Sequence, residues 1–395
     1  MRLATQLALA RSEGDLRGDA SEAVRLELQA LDATLASRAA DSDQPEARLA
    51  AALALTSDEL AFFWAVVARA SDPLLLALLQ VLCGTDARRG LSLAHYATIA
   101  GLDAERADAI TNILSPSHPL LRYQFLLAPD AVAIDVCTPL TTSPRMCAFL
   151  RGETEPDEVI NAAGGRIWVP HDAQLDEVQQ HSRHRIGLGL GWLESVVIVE
   201  GPTGAGRRTA VALAAKTFGR DVVSVDLARI APHYGALESA LTALMRECML
   251  TSAIPVIAGV NELTGGESEP AERQRLLARV IESAPGPVAL TSNVAGIDLK
   301  VHGRRIIRVP WPVPETGARR ALWVDALADD LGGLESHVDE LALRYRMGAG
   351  GIRDGAASAR AIRDARGSGA VLTPGISWFD PDSRSVRTSG RSAAA

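Results

Sequence analysis

The chain has 395 residues with 40 Lys and Arg against 48 Asp and Glu, a net charge of −8, and is 47% hydrophobic and 22% charged. This length and balance exclude wholesale disorder and predict two or three folded domains, while the negative sign gives no bulk attraction to nucleic-acid phosphates. Cys83, Cys137, Cys147 and Cys248 lack CxxC spacing and a nearby histidine pair, which argues against a zinc site or a disulfide framework.

Arg11, Glu13 and Asp15 interrupt the first residues too early for a secretory signal, and the apolar run Pro73 to Cys83 is far shorter than a bilayer span. A cytoplasmic location without membrane contact is expected. Residues 1–46 read as a helix, Ser21 to Ser37, and a linker. Thr56-Ser57-Asp58-Glu59 is a capping-box pattern ahead of an apolar helix to Ala70, and Ser71-Asp72-Pro73 opens another with Pro in its first turn.

Leu91 to Ala100, the turn Gly101-Leu102-Asp103 and Ala104 to Leu114 have the layout of a helix-turn-helix. Two apolar runs, Leu120 to Leu127 and Val132 to Val136, flank Ala128 to Ala131 and predict a two-stranded wing. Residues 47–152 are therefore expected to form an α+β winged-helix domain. Asp103, Glu105 and Asp108 outnumber Arg106 on the would-be recognition helix and its turn, so docking to protein is preferred over DNA.

Residues 153–310 alternate strands and helices. The strands are Val196 to Glu200, Val222 to Asp226, Ile254 to Val260, Val288 to Thr291 and Ile306 to Val309; the helices are Arg207 to Phe218, Ala236 to Leu250 and Ala271 to Ala284. This pattern predicts an α/β fold with a five-stranded parallel sheet. Thr316 to Leu327, Leu334 to Tyr345 and Gly350 to Ala365 form a helical lid within residues 311–368. Residues 369–395 are Ser, Arg, Gly and Ala rich, and a disordered tail is expected there.

Strand Val196 to Glu200 runs into Gly201-Pro202-Thr203-Gly204-Ala205-Gly206 and then a helix, the order of a phosphate-binding loop whose backbone N–H groups curl around an oxyanion. A working loop continues with Lys for the phosphates and Ser or Thr for Mg²⁺; Arg207 and Arg208 stand there, with Thr209 one residue late. After the third strand, Asn261 replaces the metal-holding acid and Glu262 remains as a candidate general base. Asn293 follows the fourth strand at the ligand-binding edge of the sheet. Arg304 and Arg305 are candidate arginine fingers, and Arg353 in Gly350-Gly351-Ile352-Arg353 is a candidate nucleotide contact from the lid.

Between about Gly164 and Arg366 this order of motifs resembles AAA+ ATPases. The resemblance implies strand order 5-1-4-3-2, assembly with other AAA+ modules in a ring, and ATP or ADP at the loop. Gly206-Arg207-Arg208-Thr209, Ala321-Leu322-Trp323 and Leu341 to Ala357 are more narrowly similar to the degenerate first module of bacterial AAA family proteins with an N-terminal winged helix and tandem modules, some tied to contractile injection systems. That likeness implies protein partners and a regulatory or assembly role, with weak or no hydrolysis; Mg²⁺ binding is doubtful, because Arg208 is a cation and cannot ligate the metal. An active remodelling ATPase and a winged-helix DNA-binding regulator are the alternatives. Because no intact second module follows, a truncated, frame-shifted or standalone product is expected.

Overall fold

Short polar caps set the helix starts along the first half of the chain. The computed structural model describes residues 45–128, 133–167, 175–263, 268–328, 330 and 337–365. The N-terminal helix, the linker, the interior of the expected wing turn and the tail therefore lie wholly or almost wholly outside the described residues. Helix α1 covers Pro45–Leu53, α2 Ser57–Ser71 and α3 Pro73–Cys83. Thr56 and Glu59 form the expected reciprocal capping box on α2, and Asp72 caps α3 by accepting from Leu74 and Leu75 N–H.

Helix α4, Leu93–Ala100, ends at Gly101 in the left-handed region, φ 63°, and α5, Ala104–Ala109, starts at Asp103, which accepts from Arg106 N–H. Of the expected second helix, Ala104 to Leu114, only the first six residues are α-helical, and Ile110–Leu114 is a 3₁₀ turn. The wing differs. Pro119–Arg122 is the short helix α6, capped by His118, so the apolar run from Leu120 is helical at its start. Only Leu126–Leu127 is strand, β1, and its antiparallel partner is β2, Thr141–Thr142, instead of Val132 to Val136. Proline at the first helical position and a capping imidazole outweigh the β propensity of the run.

Helices α7, Pro144–Leu150, and α8, Glu158–Ala163, follow, then the short strand β3, Gly164–Arg166. Next come α9, Glu177–Leu190; β4, Ser195–Glu200; α10, Arg207–Lys216; β5, Val222–Asp226; and α11, Tyr234–Thr251. The α/β series closes with β6, Ile254–Ala258; α12, Ser268–Glu282; β7, Val288–Ser292; and β8, Arg305–Pro310. The lid helices are α13, Thr316–Ala326; α14, Val338–Arg344; and α15, Ala349–Ala365. The first part of the expected helix from Leu334 falls on residues 331–336, outside the described residues, and α14 is described from Val338.

The chain divides into two units: residues 1–165 with 235–253, and residues 166–234 with 254–395. In the first, Phe62 packs edge-on to Tyr96 and Phe63 to Phe125, around fully buried Ile113, Leu120 and Leu140. Helix α11 belongs to this unit. Its Glu247 holds Arg145 of α7, and its Arg246 pairs with Asp157. Among the described residues no single helix is long and apolar enough to cross a membrane.

The mixed α/β part of the chain has a six-stranded sheet in the order β3-β5-β6-β7-β4-β8, of which β4, β5, β6, β7 and β8 lie in the second unit. The five expected strands take the order 5-1-4-3-2, and the pairs β4–β7, β4–β8, β5–β6 and β6–β7 are all parallel. Six strands replace the expected five because β3 adds an edge. At three residues, two of them glycine, it is too short to carry an apolar pattern. Strands β4, β5, β6 and β7 are almost entirely buried, which explains their continuous Val, Ile, Leu and Ala runs. Val197, Val199, Ala210, Val211, Ala214 and Trp311 form the apolar bed beneath the glycine loop. In the lid, Trp323, Leu341, Ile352 and Ala356 make a separate small core.

Candidate functional site

The glycine loop turns off the end of β4 under close backbone control. Gly201 N–H donates to Ser292 carbonyl at 3.1 Å, and Ala205 N–H to Pro202 carbonyl at 3.2 Å. A Cβ on Gly201 would lie 2.1 Å from the backbone oxygen of Trp311, so only glycine fits. Gly204 and Gly206 have φ of 80° and 90°, the left-handed region that L side chains avoid. Gly206 caps α10 without any side-chain acceptor, leaving the first N–H groups of that helix turned toward the loop.

Trp311 closes the loop from below by donating Nε1–H to Ala205 carbonyl at 2.8 Å. From the lid side, Gly348 is pressed against the same residue: a Cβ there would stand 2.5 Å from Ala205 oxygen. A Cβ added to Gly204 would come into ordinary contact with Gly351 Cα at 3.7 Å. The lid turn and α15 thus meet the phosphate-type loop through small residues.

A cavity of about 830 Å³ lies between the loop, the carboxyl ends of β5, β6 and β7, and the first turns of α15. This falls inside the range of roughly 300–1,000 Å³ typical of small-molecule and cofactor sites. Thr203, Gly204, Gly206, Arg207, Arg208, Thr209, Glu262 and Asn293 line it, together with Asn261 and Thr291. Pro202, Gly201 and Ala205 shape the loop from outside the lining.

Arg207 is half-buried, and its Nη1 is fully buried with no hydrogen-bond partner among the described residues. Burial pushes its pKa down, the neighbouring Arg208 charge adds to that, and Asp226 opposes both. An arginine stays charged through such a shift. Arg208 reaches Asp226 at the end of β5, Nη1 to Oδ2 at 3.7 Å, too long for a hydrogen bond. Asn261 donates Nδ2–H to Glu262 Oε1 at 3.0 Å and accepts the N–H of Asn293 at 3.2 Å, linking the three candidate residues in one chain. Glu262 is exposed.

Three candidates are placed elsewhere. Arg304 donates to the carbonyls of Leu193, Gly286 and Ala284. Arg305 lies over the Trp192 ring, 4.7 Å from its centroid. Both stand at the start of β8, across from the amino end of β4 and opposite the glycine loop. Arg353 is exposed, donates to Ala349 carbonyl within its own helix, and is absent from the cavity lining. Its neighbour Asp354 lines the cavity instead, as do Ser358, Asp226 and Arg229, which the sequence reading did not single out. Asp226 alone carried a signal, as the last polar residue of a buried strand at the ligand edge.

The donors present suit a phosphate group better than a metal ion. Backbone N–H groups at the loop and the unpartnered Arg207 Nη1 are anion ligands. The position expected to supply a metal-binding hydroxyl is a guanidinium, and the strand-end acid is the amide Asn261, already hydrogen-bonded to Glu262. Mg²⁺ demands several oxygen ligands in near-octahedral geometry, and these residues do not fit it.

Comparison with known proteins leaves the family open. No family model matches the chain, and no curated protein matches it. A solved structure described as "Structural Basis for Katanin Self-Assembly" is similar at 16% identity and a TM-score of 0.36, covering 51% of this chain and 73% of that one.

Proposed function

We propose that this chain is an AAA+-like nucleotide-binding protein with a degenerate phosphate loop, which binds ATP or ADP, hydrolyses it weakly or not at all, and serves regulation or assembly. The observation that carries the reading is the cavity bounded by the glycine loop and the lid, with Arg207 Nη1 buried and unpartnered at its edge. The sheet order 5-1-4-3-2, the loop at the end of the interior strand β4 and the helical lid support the family assignment. Arg208 and Asn261 in place of a hydroxyl and an acid support the loss of hydrolysis, because a base such as Glu262 acts only on a water that a metal has positioned.

The N-terminal unit is assigned to protein docking, as a winged-helix-like element that holds a partner, other AAA+ modules among the candidates. Arg106, the sole cation of α5, is engaged by Asp58 through two hydrogen bonds of 3.0 and 2.5 Å, which lowers its availability to DNA phosphates. Titration of ADP and ATP by calorimetry, with a phosphate-release assay alongside, tests the reading. One nucleotide per chain and no release above background are expected. Failure of both nucleotides to bind, with and without Mg²⁺, would overturn it; release that disappears in Glu262→Gln would replace it with an active ATPase.

A further inference from the structure

The charges around the cavity identify the form of the ligand. Its ionisable lining consists of Arg207, Arg208 and Arg229 against Asp226, Glu262 and Asp354. The two arginines at the start of α10 follow the glycine loop directly and line the cavity beside the first, side-chain-uncapped turn of that helix. In a metal-dependent site, that place is shared between a phosphate and a divalent cation, which neutralises part of the phosphate charge.

We infer, resting on the nucleotide reading above, that Arg208 supplies the positive charge a divalent cation would otherwise bring, so that the ligand is a nucleoside di- or triphosphate free of metal. Among the described residues Arg208 is held by a 3.7 Å ion pair to Asp226, with its side chain 38% exposed, which leaves it able to swing from carboxylate to phosphate. Arg207 already presents a buried N–H with nothing to receive it. Two guanidiniums and a helix N-terminus give a fixed, hydrogen-bonding cation set that needs no dehydration of Mg²⁺. Asp226 is the competitor that the phosphate displaces. Metal already complexed to the nucleotide meets this cation set as a like charge, so Mg²⁺ opposes binding.

Calorimetry of the full chain with ATP and with ADP, in excess EDTA and in excess Mg²⁺, tests this. Binding in EDTA is expected to exceed that in Mg²⁺. Arg208→Ala is expected to weaken metal-free binding roughly tenfold or more, the loss of one charge-assisted contact. Asp226→Asn, which retains an oxygen to cap Ala228 N–H, is expected to tighten it. Binding in Mg²⁺ as tight as or tighter than in EDTA overturns the inference and leaves the nucleotide reading standing. Metal-free affinity unchanged in Arg208→Ala, or no gain in Asp226→Asn, removes the assigned role of Arg208. No binding under either condition removes both readings, and the wild-type comparison holds even if a variant fails to fold.

Discussion

Arg145 of α7 donates from Nε and Nη2 to the two carboxylate oxygens of Glu247 of α11, at 2.7 and 3.0 Å, with both side chains almost fully excluded from solvent. Its two side chains are only 3% and 0% exposed, so the pair is shielded from solvent screening. Arg145→Ala strands a buried carboxylate, and the expected cost is about 3–5 kcal/mol. Urea unfolding followed by tryptophan fluorescence should show the loss, and Arg145→Met combined with Glu247→Leu should recover much of it. If Arg145→Ala unfolds at the wild-type midpoint, the pair is not holding the two helices together.

A pH dependence follows from His118. Burial lowers its pKa below the ordinary 6.5, against the opposing pull of Glu59 at 3.3 Å. The folded state thus resists protonation that the unfolded chain accepts. Stability from this group is intact above pH 6.5 and falls as pH drops below it toward the depressed folded value. Denaturation midpoints at pH 7.5 and 5.5 should differ in that direction, and His118→Asn, which keeps an acceptor for Leu120 N–H, should reduce the difference. An unchanged pH difference in the variant would remove His118 as its cause.

The glycine contacts predict steric effects at the site. Gly348→Ala places a Cβ 2.5 Å from Ala205 oxygen, a backbone atom, so lid and loop must separate. An overpacking cost of about 1–3 kcal/mol is expected, with faster nucleotide dissociation in stopped-flow measurements. Gly317→Ala, with open space around it in helix α13, is the control: it should leave dissociation unchanged and raise stability by up to about 1 kcal/mol through helix propensity.

Restoring oxygen ligands should restore metal dependence. Arg207→Lys with Arg208→Thr and Asn261→Asp replaces two guanidiniums and an amide by an ammonium, a hydroxyl and a carboxylate. Mg²⁺ is then expected to strengthen ATP binding roughly tenfold, read by calorimetry with and without the ion. A triple variant indifferent to Mg²⁺ would mean that these three positions do not define the metal site.

Much of the α/β unit was legible in the sequence. Its strands are apolar through and through because both faces of the sheet are covered, and its glycine loop is marked by backbone conformations that few other residues adopt. The strands, the loop, its two arginines and the link of Asn261 and Glu262 to one sheet edge follow from local pattern. Tertiary structure decided the rest. Arg353 and Asp354 are adjacent, yet the rotation of α15 about its axis gives the cavity to Asp354, since neighbours on a helix point about 100° apart. Arg304 was captured by carbonyls brought close by folding, and β1 took a partner from beyond the expected turn. Local periodicity encodes which residues are buried; which polar group each side chain meets depends on contacts between segments far apart in the chain.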